Sequence, residues 1–281
     1  MTRERTSHVT THEIAPTRGL RLVDPLDLWR WRELFVALMV RDVAVRYKQT
    51  AIGIAWVVIQ PLAMVAVFTF LLGKLGGVPT GDLPYPLFAF AAMVPWQVFS
   101  RALTEGSMSL ANNRTLITKV YFPRILMPAA AVFGGAIDFV ITFVILILMM
   151  MWFGFVPGPE IVLTPLLLLL ALLTSLGVAL WLSALNVLYR DVQFVLPFLA
   201  QIWLFLTPVL YPASVIPEKW RLLYAMNPMV TVTESFRWAA LGGATAPDPL
   251  MLAVSTGTVL IVLLSGIAYF RHVEREMADT I

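Results

Sequence analysis

The chain of 281 residues contains no cysteine, and only 13% of its residues are charged. Without cysteine there can be no disulfide, no thiol nucleophile and no thiolate metal site. Its three histidines, at positions 8, 12 and 272, all lie in the tails, which leaves no buried imidazole as ligand or base. Soluble domains carry about 25% charged residues, so this chain, which is 59% hydrophobic, is predicted to be an integral membrane protein.

A phosphate-binding loop is also missing from the sequence. The nearest fragment is Gly73-Lys74, but Phe68 stands where the leading glycine should be, and Leu75 replaces the serine or threonine. The chain is therefore not expected to be an enzyme, and its energy source is expected to be another polypeptide.

One acidic residue, Asp138, interrupts a long hydrophobic stretch. A carboxylate at that depth must face protein or water, and its expected partners are Thr142 or serines and threonines of neighbouring spans. It is either a polar packing contact between helices or part of a transport path or a dimer seam. A single carboxylate does not make a proton relay, and no buried charge network is predicted.

A junction between charged and apolar sequence lies within the segment Arg41 to Pro61. Its basic run ends at Lys48, and 25 uncharged residues follow, from Gln49 to Gly73. At about 1.5 Å per residue this stretch can cross a hydrocarbon core of roughly 30 Å. The basic side is predicted to be cytoplasmic, because lysine and arginine resist translocation.

Hydrophobic length predicts an all-α membrane protein with six spans and both ends in the cytoplasm. This topology places 16 of the 20 lysines and arginines on the inner side. The predicted spans are about 50–73, 85–106, 125–153, 161–189, 192–212 and 249–270, within a permease domain of 49–273.

The two ends of the chain flank this domain. Residues 1–24 are polar, lack a cleavage site and are predicted to be a cytosolic tail rather than a signal peptide, and 274–281 form a second tail. Residues 25–42 are predicted to be an interfacial amphipathic helix whose apolar face is Leu28, Trp31, Phe35 and Leu38. A soluble helix packed on a partner is the alternative.

Two connections stand out. The inner loop between spans two and three is polar and basic, with a short helical core from Thr115 to Val120. The outer loop after span five is too apolar for a solvated loop. Pro217 to Met226 and Pro228 to Leu241 are predicted to be short re-entrant helices, each starting at a proline. An extracellular cap on the surface is the alternative.

Five motifs resemble those of the polysaccharide and polyol-phosphate export permeases, the membrane subunits of type-2 ATP-binding-cassette exporters. They are RDVAVRYKQTAIGIAWVVIQP, VPWQVF, NNRTLITKVYFPR, YRDVQFVLPFLAQIWLFLTPVLYP and NPMVTVTESFRWAALG, in the family's order and within about residues 25–275. The resemblance implies a homodimer of permeases, two copies of a cytosolic P-loop ATPase that binds ATP and magnesium, and a lipid-linked glycan as substrate. No cofactor is expected in this chain.

The resemblance also implies roles for particular positions. The inner loop would dock on the ATPase through Asn113, Arg114, Leu116, Ile117, Lys119, Tyr121 and Phe122. The translocation path between two copies would be lined by Trp56, Gln60, Phe68, Phe194, Phe198, Gln201, Trp203 and Phe205. The outer gate would include Trp220, Tyr224, Phe236 and Trp238.

Each of these roles has a simpler structural explanation. Membrane aromatics often pack in a core or anchor a helix at the interface. The loop could be an ordinary inner loop held by its positive charges. Three other functions stay open: a type-2 exporter of drugs or simple lipids, an ATP-independent transporter or channel, and a scaffold subunit without a transport path.

Overall fold

The computed structural model of the protein describes residues 29–48, 55–189, 191–242 and 246–280, with side chains through residue 275. These residues form helices and connecting turns, with no strand among them, so the all-α prediction is confirmed for this part. The α-helices are α1 (Arg32–Lys48), α2 (Ala55–Phe68), α3 (Tyr85–Asn112), α4 (Arg114–Lys119), α5 (Leu126–Trp152), α6 (Thr164–Leu188), α7 (Val192–Phe205), α8 (Glu218–Ala225), α9 (Pro228–Leu241) and α10 (Pro249–Thr280).

Four helical stretches of the described chain are long and apolar enough to cross a bilayer. They are Ala55–Leu75, Leu126–Trp152, Pro159–Leu188 and Pro249–Arg275. The first continues α2 through a π-helical segment, Thr69–Leu75, and the third begins with a 3-10 turn, Pro159–Leu163. α7 is a shorter apolar helix that ends at Phe205, before the predicted end of the fifth span at 212.

The centre of the helical bundle is α3, which packs against α2, α5, α6, α7 and α9. Its outer half, from Leu87 to Trp96, is buried on all sides, as is expected for a helix that is apolar around its whole circumference. Small residues let its neighbours approach closely. A Cβ at Gly106 would lie 2.8 Å from side-chain carbons of both Ala179 and Val132, so only glycine fits there.

The face of α1 that the sequence assigned to the membrane interface contacts protein along part of its length. Leu38 is 3% exposed, and the Phe35 ring meets Phe133 of α5 edge-on with centroids 6.0 Å apart. α1 also runs on to Lys48, beyond the predicted boundary at residue 42. Helical periodicity identifies this face of α1 as apolar, but it does not distinguish a face that packs on another helix from one that faces lipid. Here α5 covers part of it. Residues 25–28 of the predicted helix lie outside the described residues.

A second, smaller core lies at the end of the bundle that the sequence predicts to face the cytoplasm, which we call the inner end. It joins α1, the last turns of α3, the segment after α4, the adjoining ends of α5 and α6 and the last turns of α10, and we call it the inner cluster. Its buried members are Leu38, Leu110, Phe122, Ile125, Leu126, Met127, Ala130, Leu180, Ala184, Phe270 and Val273. This cluster gives the inner loop a rigid apolar base.

The outer helices have clear end signals. The Asn227 side chain accepts a hydrogen bond from the Met229 N–H at 3.1 Å and caps α9, and Pro228 takes the first helical position. Gly242 ends α9 in the left-handed conformation, with φ of 64°. These signals explain why α9 has the bounds that the sequence predicted.

Candidate functional site

The inner loop between α3 and α5 presents two different surfaces. Leu116 and Ile117 are half-buried against the inner cluster, and Phe122 is buried within it. Tyr121, by contrast, is 79% exposed, and Val120 beside it is exposed as well. Among the other predicted docking residues, Arg114 and Lys119 are exposed. The loop is therefore held by apolar anchors and exposes an aromatic and basic surface at this end of the bundle.

Asn113 connects this loop to α1. Its side-chain oxygen accepts a hydrogen bond from Arg41 Nη2 at 2.9 Å, and its amide nitrogen donates to the Ser109 carbonyl at 2.9 Å. Arg41 is also paired with the neighbouring Asp42 at 2.8 Å. The helix before the first span and the inner loop are therefore in direct contact.

A network of four charged side chains joins α1, α3 and α5; we call it the inner charge network. Asp138 Oδ2 lies 2.8 Å from Arg46 Nη1 and 2.9 Å from Arg101 Nη1, and Arg46 is also paired with Glu105. The Asp138 side chain is 6% exposed. Two positive and two negative groups compensate one another, as burial of charge requires.

Tyr47 completes this network by donating a hydrogen bond to Asp138 Oδ1. Burial and the hydrogen bond to that carboxylate raise the pKa of the Tyr47 hydroxyl above its ordinary value. The hydroxyl therefore remains a donor at neutral pH.

The prediction that the chain has no buried charge network is thus wrong. The expected partner Thr142 donates its hydroxyl hydrogen bond to the backbone carbonyl of Asp138 at 2.9 Å, and the carboxylate is paired with arginines instead. Arg46 lies 92 positions away in the sequence, so its pairing with Asp138 depends on how α1 packs on α5. The basic run before the first span was visible in the sequence, but it was interpreted only as a topology signal.

Most of the predicted path residues share an exposed position on α2 and α7. Trp56, Gln60, Phe194, Phe198, Gln201 and Phe205 are exposed, whereas Phe68 and Trp203 are partly buried. The Trp203 ring packs on Phe99 with centroids 4.9 Å apart, and its Nε1 donates to Asn227 Oδ1 at 2.9 Å. Trp203 therefore points into the bundle in this conformation.

The exposed faces of α2 and α7 differ from those of α5 and α10. The α5 face consists of aliphatic residues such as Val140, Val144 and Leu148, and that of α10 includes Leu260 and Ile261. The α2 and α7 faces combine aromatic rings with the exposed amides of Gln60, Gln193 and Gln201. An amide exposed to acyl chains would lose its hydrogen bonds, so these two faces suit a polar neighbour and the aliphatic faces suit lipid.

The four predicted gate residues occupy different environments. Trp220 is exposed, and Tyr224 is half-buried, with its hydroxyl 2.9 Å from that of Tyr211. Trp238 is partly buried against the main core. Phe236 is fully buried, with its ring edge-on to both Phe139 and Phe143. Phe236 therefore packs α9 on α5 rather than facing outward.

A buried arginine that the sequence analysis did not single out holds the outer end together. Arg237 is 1% exposed and pairs with Glu234 at 2.7 Å. Its remaining donors reach the carbonyls of Phe88, Pro208 and Val209 at 3.2, 2.8 and 3.2 Å, and its guanidinium lies 3.7 Å from the centroid of the Phe88 ring. The available sequence signal was an i, i+3 Glu-Arg pair in a helix with no other charged residue.

The described side chains include no group of three or more histidine, aspartate or glutamate residues that could hold a metal ion. Residues 49–54 and Arg190, which belong to the motifs noted above, lie outside the described residues. The described residues have the arrangement of a multi-pass helical membrane protein, with an exposed aromatic and basic loop at one end.

Comparison with known proteins identifies the family of this membrane protein. The chain belongs to the ABC-2 type transporter family, which it matches over residues 33–241. It is 31% identical over 260 residues to the O-antigen export system permease protein RfbA of Myxococcus xanthus, covering 91% of this chain and 98% of that one.

Two further relatives are more distant. A protein of the same name from Klebsiella pneumoniae is 27% identical over 250 residues, with coverage of 88% of this chain and 94% of the relative. The polysialic acid transport protein KpsM of Escherichia coli is 24% identical over 246 residues, with coverage of 86% and 93%. The alignments thus extend over nearly the full length of each relative.

Proposed function

We propose that this chain is the membrane permease subunit of an ATP-driven exporter that moves a lipid-linked polysaccharide across the bacterial plasma membrane. Two findings support this function: membership of the ABC-2 family, and relatives that are named for O-antigen export and polysialic acid transport. A polyol-phosphate polymer has the same general chemistry and would use the same path.

The proposed topology has six spans with both ends in the cytoplasm, adding α3 and α7 to the four long apolar stretches. α7 has 14 residues, and its length of about 21 Å is short of a hydrocarbon core of roughly 30 Å. We propose that α8 and α9 fill the remaining outer part as re-entrant helices. The burial of α9 against α3 and α6 supports this, because re-entrant backbone must be covered by protein.

The observation that carries the proposed function is the inner loop, with its buried anchors and exposed Tyr121. A groove on a soluble partner can bind exposed basic side chains on a short helix together with an exposed aromatic ring just after it. We assign this surface to a cytosolic ATPase, which would bind the ATP and magnesium. Arg114, Lys119 and Tyr121 would contact the partner, while Leu116, Ile117 and Phe122 would hold the loop and Asn113 would tie it to α1.

The export path would lie between two copies of the chain, along the exposed faces of α2 and α7. Aromatic rings can stack on the CH-rich faces of sugars, and glutamine amides offer exchangeable hydrogen bonds to hydroxyl groups. Trp220, Tyr224 and Trp238 would border the outer opening. ATP binding would close the two ATPase subunits, displace the inner loops and reorient α2 and α7.

The docking surface can be tested with a double variant, Lys119→Ala with Tyr121→Ala. Both side chains are exposed, so folding should be retained, whereas affinity for the cognate ATPase should fall about tenfold or more. Binding would be measured with purified subunits in nanodiscs, together with ATP-driven polymer export in proteoliposomes.

The matched control is Lys74→Ala with Trp152→Ala, which removes an exposed lysine and an exposed aromatic from the opposite end of the molecule. It should leave ATPase affinity unchanged. Normal ATPase affinity in the Lys119/Tyr121 variant would contradict the assignment of the inner loop as the docking surface.

A further inference from the structure

One unbroken helix, α10, contacts functional elements near both of its ends. It runs from Pro249 to Thr280. Ser255 near its outer end and Glu274 near its inner end are 19 residues apart, which corresponds to about 28 Å along the helix axis. That distance is close to the thickness of the hydrocarbon core.

The inner end of α10 holds the segment that follows α4. Glu274 Oε1 accepts a hydrogen bond from the backbone N–H of Arg124 at 3.2 Å, and its other oxygen pairs with Arg271 at 3.0 Å. Phe270 and Val273, one turn earlier and one residue earlier, are buried in the inner cluster together with Phe122. A shift of the inner loop would therefore act directly on these last turns of α10.

The outer end of α10 is hydrogen-bonded to both outer helices. The buried Ser255 hydroxyl donates to the Ala225 carbonyl at the end of α8, at 2.7 Å. Since a hydroxyl has one proton, the 2.5 Å contact between Ser255 and Thr231 of α9 requires Thr231 to be the donor. Ser255 thus joins α8, α9 and α10 at one point.

Between these ends α10 lies directly against α6. A Cβ at Gly266 would be 2.5 Å from the Gly177 carbonyl oxygen, and a Cβ at Gly177 would be 2.9 Å from the Leu263 nitrogen. No side chain separates the two backbones at this crossing. Such close contact leaves little room for α10 to bend or to slide independently of α6.

We propose that α10 transmits displacement of the inner loop to the outer helices, with Glu274 and Ser255 as positioning residues at its two ends. This inference rests on the proposed function, since it concerns how ATPase movement would reach the outer opening. α10 is suited to this task because it is continuous, spans the bilayer and is bonded at both ends. Polymer export per ATP should therefore depend on both contacts together.

The experiment uses the full chain with its ATPase in proteoliposomes and compares Glu274→Ala, Ser255→Ala and the double variant. Each single change should lower polymer exported per ATP hydrolysed by about fivefold or more. Independent effects at sites this far apart would multiply in the double variant. We expect the double variant to be no worse than the more impaired single one, because either break interrupts the same connection.

Two further variants separate a positioning role from general damage. Glu274→Gln keeps an oxygen that can accept from the Arg124 N–H and should retain most of the coupling. Glu218→Ala removes an exposed glutamate that pairs with Arg221 in the same i, i+3 spacing as Glu274 with Arg271, and it should couple normally.

A third readout does not depend on transport. Because the chain lacks cysteine, a single spin label at Thr115→Cys reports loop mobility in the isolated permease. Glu274→Ala should raise that mobility, and Glu218→Ala should not.

Normal coupling in Glu274→Ala, multiplied losses in the double variant or unchanged loop mobility would each overturn the proposal. A wild-type chain that binds no ATPase would instead refute the proposed function, while the mobility result would still decide whether α10 holds the loop.

Discussion

Arginines are paired inside the protein at both ends of the molecule, but their partners are of different kinds. At the inner end, Arg46 and Arg101 are paired with carboxylates on other helices, Asp138 and Glu105. At the outer end, Arg237 has one carboxylate from its own helix and otherwise backbone carbonyls of α3 and of the segment after α7.

This difference has a mechanical meaning. The Pro208 and Val209 carbonyls lie past the end of α7 and have few other donors in this buried site, so the Arg237 contacts hold one arrangement. The carboxylates of the inner charge network can exchange among two arginines, a tyrosine and water. We therefore expect the outer end to be the fixed part of the fold and the inner end to be the part that can change its pairing.

The largest effect should come from Arg237→Met, which fills similar volume without donors. It removes the donor to the Pro208 and Val209 carbonyls and the ion-pair partner of Glu234, which then keeps only the hydrogen bond from the Ala213 N–H. The free energy of unfolding should therefore fall by about 3–5 kcal/mol. Unfolding in mixed micelles would measure this, with Arg221→Met, at an exposed arginine, as the control. A loss below about 1 kcal/mol would mean that the outer end is not held by this side chain.

A smaller loss is expected for Asp138→Asn. Arg46 retains Glu105, and both arginines are partly accessible to water, so we expect about 2 kcal/mol. The same unfolding assay applies. The control is Asp248→Asn, because asparagine can cap the start of α10 as aspartate does. A loss as large as that of Arg237→Met would remove the distinction between the two ends.

The smallest effect should follow Glu105→Gln, whose side chain is 34% exposed. Arg46 keeps Asp138, and the amide oxygen can still accept a hydrogen bond, so stability should change by less than about 1 kcal/mol. The difference from wild type should shrink further at high salt, which screens partly exposed charges. A salt-independent loss of several kcal/mol would show that the inner pairing is as fixed as the outer one.

Local signals explain which elements could be predicted from the sequence. Asn227, Pro228 and Gly242 fix both ends of α9, and the basic core of the inner loop identified α4 to within a residue. These features are determined by neighbouring residues, whose chemistry is visible in the sequence. The four long membrane-spanning stretches could be predicted just as directly, from the length of their apolar sequence.

Partners that come from distant parts of the chain could not be predicted in the same way. Periodicity shows which residues are apolar but not which element covers them, so it does not reveal that Phe35 meets Phe133 or that Phe236 meets Phe139. The ion pairs of Asp138 likewise depend on how α1 and α3 pack on α5. The path and gate residues were assigned with the same difficulty. Trp203, assigned to the path, and Phe236, assigned to the gate, both pack inside the bundle.

The short α7 also has a consequence for the surrounding lipid. A 14-residue helix matches a bilayer thinner than the four long stretches require, so the hydrophobic width of this protein is not the same around its perimeter. In the proposed topology, acyl chains that reach α7 at the edge of the path, where α8 and α9 do not cover it, must shorten or tilt. The thickness of the membrane is therefore a physical variable that acts on one side of this protein more than on the other.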